Sequence, residues 1–139
     1  MTARAMSRDP VALVVDGHSA VRRALCERIQ TSFSVQLRQA ASVEDALFIL
    51  DEEMVDIVLI DGQSRGMNGL KGTRALLDRS PQSSVIVMSA FSEASCRSAA
   101  SRAGAVAFVS KRAINSELIP VLTKLIVEYR QERADEEGF

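Results

Sequence analysis

The chain has no tryptophan, one tyrosine, one histidine and two cysteines among 139 residues. A surface that stacks bases on aromatic rings therefore has little to draw on. No charge sign dominates either, with 17 basic against 18 acidic residues and a net charge of −1. Binding to nucleic acid rests on neutralising phosphates, and this balance offers no positive excess for it, so no direct nucleic-acid binding is expected. Cys26 and Cys96 are far apart, with no CxxC and no Cys/His cluster around them. That excludes a zinc site and a disulfide framework and leaves two reduced packing thiols, as expected of a cytoplasmic protein. No apolar run approaches the roughly 18–20 residues of a membrane span. The opening MTARAMSRDP lacks the apolar centre of a signal peptide and reads as a mobile arm over residues 1–10.

What is present is the balance of a folded domain, 47% hydrophobic and 25% charged residues. A disordered chain would combine low hydrophobicity with high net charge. The length suits one domain that needs no disulfide or structural metal to hold its core. The pattern along it is alternation. Short apolar runs of strand length occur at 11–15 (VALVV), 35–41 (VQLRQAA), 56–60 (DIVLI), 84–88 (SVIVM) and 105–109 (AVAFV). Stretches with helical spacing lie between and after them, at 19–31, 42–52, 69–80, 92–103 and 115 to about 133. The first places Val21, Leu25 and Ile29 on one face, and the last does the same with Leu118, Leu122, Leu125 and Tyr129. The second opens on SVED, a capping-box pattern. The third stops before Pro81 and the fourth before Gly104. A polar tail is expected over 134–139.

Strict alternation of five strand and five helix signals implies an α/β domain over 11–133, a doubly wound parallel sheet covered on both faces. The first, third and fourth runs are almost continuously apolar, which suits central strands. The second carries Gln36, Arg38 and Gln39, which suits an edge. The right-handed crossover rule leaves few topologies, and we take the order 2-1-3-4-5.

Ligands of open parallel sheets bind beyond the carboxyl ends of the strands. Asp16 follows the first apolar run, Asp61 the third, Ser89 the fourth, and Lys111 lies just past the fifth. Each residue alone has an ordinary explanation, a helix cap, a turn hydroxyl or a solvated lysine. Together they put two carboxylates, a hydroxyl and an amine on one rim. That set suits phosphoryl transfer to a carboxylate. Paired carboxylates hold Mg²⁺, one of them can serve as nucleophile, and a hydroxyl and an ammonium can bind the phosphoryl oxygens.

The stretches VVDGHSAVRRAL, DIVLIDGQSRGMNGL, VIVMSA and GAVAFVSK resemble the receiver domain of two-component response regulators. The first, with the region around Ala40, is most similar to receivers of the subfamily with helix-turn-helix output domains. The resemblance implies a flavodoxin-like fold with the same strand order and, for this sequence, a set of roles. Asp61 is the expected phosphoacceptor, Asp16 one of the acids that hold Mg²⁺, and Gln63 a source of a backbone carbonyl for the metal. Ser89 is the expected switch hydroxyl, Lys111 the lysine that binds the phosphoryl group, and Phe108 the switch aromatic. It further implies a histidine kinase or phosphotransfer protein as donor, a downstream protein partner and a possible homodimer. Enzymatic activity is not expected beyond Mg²⁺-assisted self-phosphorylation and dephosphorylation.

Three positions depart from the family pattern. Gly17 stands where a second acid normally follows Asp16, so weaker Mg²⁺ binding is expected. Arg65 and Arg112 stand where prolines are common. His18 does not replace the missing acid, because Mg²⁺ prefers oxygen ligands; it reads as a surface residue. Gly17 also leaves room for an alternative, a degenerate pseudo-receiver that binds a protein without phosphorylation. The fourth helical stretch is rich in Ser and Ala with little to bury, so low local stability is expected there. A nucleotide enzyme is disfavoured, since Gly62, Gly66, Gly69 and Gly72 form neither GxxxxGK[ST] nor GxGxxG. A phosphatase is disfavoured because Gly62 and Gln63 offer no second acid beside Asp61.

Overall fold

The computed structural model describes residues 8–62, 69–90 and 94–136. Five strands, β1 (Val11–Val15), β2 (Gln36–Ala40), β3 (Ile57–Asp61), β4 (Ser84–Ser89) and β5 (Ala107–Ser110), form one parallel sheet in the order β2-β1-β3-β4-β5. The helices between them are α1 (Ser19–Ser32), α2 (Val43–Glu52), α3 (Gly69–Arg79) and α4 (Ala94–Arg102). After β5 a π-helical turn (Ile114–Leu118) leads into α5 (Ile119–Glu136). Both the class and the strand order agree with the sequence reading.

Alternation of side chains along the central strands supplies two cores. Leu13, Val15, Val58, Ile60, Val85 and Val87 face one side, where Val43, Ala46, Leu76 and Ala100 from α2, α3 and α4 cover them. Val14, Leu59, Ile86 and Met88 face the other, under Leu25 and Ile29 of α1 and Leu122 and Ile126 of α5. A fully buried aliphatic side chain of this kind contributes about 1.5–3 kcal/mol through removal from water. The mixed polarity of β2 matches its edge position, paired only with β1. Arg38 spans from that edge to Glu53 in a two-pronged ion pair, at 2.8 and 3.1 Å.

Several expectations shift. The end of the arm expected over 1–10 is fastened: Pro10 is buried and its carbonyl accepts from Gln36 N at 2.9 Å, while Asp9 accepts from Ser34 and Arg130. Residues 1–7 lie outside the described residues. Ala134, Asp135 and Glu136 continue α5 rather than forming a tail, because nothing in that stretch breaks a helix. Val21 does not share the buried face of Leu25 and Ile29. It is 42% exposed and lines a cleft with Lys111 and Ile114, which follow β5. Ser42 caps α2 as expected, accepting from Asp45 N at 3.1 Å.

Candidate functional site

β1, β3, β4 and β5 all end at the same rim, and each delivers its polar residue there. Asp16 follows β1 directly; its amide donates to Ala40 O at 3.1 Å, so the backbone is still tied to the sheet. Its side chain has no solvent exposure. One carboxylate oxygen, Oδ1, accepts from the backbone amide of His18 at 2.9 Å, which closes the turn into α1. The other, Oδ2, lies 2.8 Å from Nζ of Lys111. The same ammonium lies 3.1 Å from Oδ1 of Asp61, whose side chain is 13% exposed. Lys111 thus bridges both carboxylates.

Burial pulls the Lys111 ammonium toward the neutral form. Hydrogen bonds and charge from Asp16 and Asp61 outweigh it, and the net effect raises the pKa above the ordinary lysine value. Lys111 is held in place through its backbone as well, its amide donating to Ser89 O at 2.8 Å. Ser89 itself is 5% exposed at the end of β4. Gly62, directly after the β3 carboxylate, donates its amide to Met88 O at 2.7 Å and accepts from Gly69 N at 3.1 Å. That return of α3 onto the rim needs glycine: a Cβ on Gly69 would fall 2.4 Å from Gly62 Cα and 2.8 Å from Asp61 O.

Gly17 has open space. A Cβ there would meet only Ala41 O, at 3.6 Å, so the missing acid is a matter of sequence and not of crowding. His18 is exposed at the start of α1, as expected, and caps nothing with its side chain. Gln63 lies outside the described residues, as do Arg65 and Gly66. Phe108 is half-buried on β5 against the core beneath α2–α4.

The structure adds two arginines that the sequence does not mark. Arg22 of α1 donates to Asp16 O at 2.7 Å and to Gln39 at 3.0 Å, clamping the turn that carries Asp16. Arg97 of α4 donates to Phe108 O at 3.1 Å and stacks over its ring at 5.0 Å. Spacing gives no hint of either contact; an arginine one or two turns into a helix beside a strand end is the only signal.

The donor set is two carboxylates with oxygen atoms only, which fits a hard cation such as Mg²⁺ that completes its shell with water and phosphoryl oxygens. Among the described residues no group of three or more His, Cys, Asp or Glu is placed to hold a metal. Among them, too, no helix is long and apolar enough to cross a membrane.

The response regulator receiver domain family matches residues 12–123. The chain is 31% identical over 115 residues to the transcriptional activator protein ExaE of Pseudomonas putida, covering 82% of this chain and 54% of that protein. It thus spans about half the length of the curated relatives it matches. The signal receiver domain of an HD domain-containing protein from Pseudomonas fluorescens superposes with a TM-score of 0.80 at 21% identity, covering 90% of this chain and 99% of that one. A response regulator protein from Burkholderia pseudomallei, solved with a phosphorylated aspartic acid, calcium ion and citrate, superposes with a TM-score of 0.67 at 21% identity. That match covers 94% of this chain and 74% of the Burkholderia chain. Sheet order, polar rim and family match agree: the chain belongs to the response regulator receiver domains.

Proposed function

We propose that Asp61 accepts a phosphoryl group from a phosphohistidine on a histidine kinase or phosphotransfer protein. The single observation that carries this reading is the position of Lys111, whose ammonium bridges Asp61 and the buried Asp16. An oxygen of Asp61 attacks phosphorus as the P–N bond to the donor imidazole breaks. The proton required by the departing imidazole comes from the donor side or from solvent. Lys111 then offsets charge on the phosphoryl oxygens, and the hydroxyl of Ser89 offers a hydrogen bond to one of them. Mg²⁺ held by Asp16 and Asp61 would neutralise the approaching phosphate. With Gly17 in place of an acid, the pair carries two formal negative charges, one of them matched by Lys111, so its hold on the ion is weak.

The solved relative with a phosphorylated aspartic acid and calcium supports this chemistry on the same fold. The output is a change on the face made by α4 and β5, where Phe108 sits under Arg97, read by a downstream protein. Intact-mass spectrometry after incubation with a small acyl phosphate donor, with and without Mg²⁺, tests the proposal. One added phosphoryl group that depends on Mg²⁺ and vanishes in Asp61→Asn is expected. No uptake at any Mg²⁺ level would overturn it and leave a binding module that works unphosphorylated.

A further inference from the structure

A cleft of about 390 Å³ opens between α1 and the π-helical turn, next to the acidic rim and sharing Lys111 with it. Its size is at the lower end of ordinary small-molecule sites, roughly 300–1,000 Å³. Ala24 and Leu25 of α1, Met88 at the end of β4 and Ile114 of the turn make its lining mostly apolar. The turn shapes one side: a π-helical start to the segment before α5 places Ile114 and Asn115 across from α1. No Asp or Glu lines the cleft, but Arg28 and Lys111 do.

The two cations differ. Lys111 is matched by Asp16 and Asp61. Arg28 hydrogen-bonds only neutral oxygens, Ser32 Oγ at 2.7 Å and Asn115 Oδ1 through both Nε and an Nη. Among the described residues no carboxylate pairs with it. An apolar cleft bordered by an arginine whose charge is unmatched favours a molecule with an apolar body and one anionic group.

We propose that this cleft binds a small amphipathic carboxylate, its apolar part against Ala24, Leu25, Met88 and Ile114 and its carboxylate on Arg28. Arg28 need not be freed entirely, since the guanidinium has five N–H donors. A molecule seated there contacts the stem of Lys111, the lysine that bridges the two acids. The binding itself does not depend on phosphorylation of Asp61.

The test is a titration of the isotope-labelled chain with octanoate, followed by backbone amide shifts, with octanol as the uncharged control. Saturable shifts centred on Ala24, Leu25, Ile114 and Asn115 are expected. Octanol should bind about fivefold more weakly, the worth of one partly exposed ion pair. Ala24→Trp, at an exposed helix position, should fill the cleft and abolish the shifts while circular dichroism stays unchanged. Arg28→Met should retain binding of octanol and lose the preference for octanoate. Shifts that are scattered or do not saturate would overturn the proposal. So would equal binding of acid and alcohol to the unaltered chain, or octanoate binding that survives Ala24→Trp.

Discussion

Lys111 and Asp16 are 95 residues apart in sequence and 2.8 Å apart in space, an ammonium against a carboxylate with no solvent exposure. The contact joins the first strand end to the last. It also joins the fold to the chemistry, because the same ammonium reaches Asp61. Removing it leaves a buried charge without its partner.

Lys111→Met is therefore expected to destabilise the domain by about 1–3 kcal/mol, less than for a fully buried pair because the lysine is 22% exposed. The effect has a defined pH window. The folded lysine has its pKa raised above 10.5, the ordinary value expected in the unfolded chain. Its contribution is then fully present below the unfolded value and is lost as pH rises through the folded one. Denaturant melts in metal-free buffer should show a gap between the two proteins that is constant at neutral pH and narrows in strong alkali. A gap that instead widens with alkali would contradict the pairing.

Gly17→Asp is expected to fit without strain, since a Cβ there meets only Ala41 O at 3.6 Å. A third carboxylate beside Asp16 and Asp61 raises the repulsion that Lys111 must offset, so the metal-free variant should be less stable. With Mg²⁺ the order reverses, and affinity should rise by about tenfold or more, the equivalent of one 1.4 kcal/mol ligand contribution. Thermal melts across a Mg²⁺ series read both effects at once. Equal Mg²⁺ affinity in the two proteins would place residue 17 outside the metal site.

The sheet that carries this site is legible in the sequence. VALVV reads as a strand because it is an apolar run of strand length; the structure buries all five residues, and the observed bounds of β1 are those expected. β3 instead lies one residue later than expected, ending on Asp61, and β4 runs one residue further, to Ser89, since the ladder pairs Asp61 with Met88 and Ser89 with Ser110. Polarity at a strand end does not reveal whether the backbone is still paired. The π-helical turn was hidden too: Ile114 to Leu118 carries helical spacing that does not separate a π turn from an α turn. Long-range partners such as Arg97 with Phe108 leave no mark in local spacing at all. Strand order rests on the family resemblance as well as on the crossover rule.

Arg97→Ala is expected to free the ring of Phe108 while leaving the rim intact. The cost to stability should be small, about 0.5–1 kcal/mol, as for a cation–π contact at an exposed site. Nuclear magnetic resonance of the Phe108 ring should show faster motion, with amide shifts confined to α4 and β5. Phosphoryl uptake should persist, because Arg97 bonds the carbonyl of Phe108 and not the acids. A collapse of uptake in this variant would show that the arginine belongs to the acceptor site.

The acceptor assignment is tested most directly by locating the phosphoryl group on the chain. Borohydride reduction converts an aspartyl phosphate to homoserine, which peptide mass mapping reads at a single position. After treatment with a small acyl phosphate donor and Mg²⁺, homoserine is expected at residue 61 and nowhere else. Homoserine at residue 16 or another acid, with Asp61 unchanged, would contradict the account.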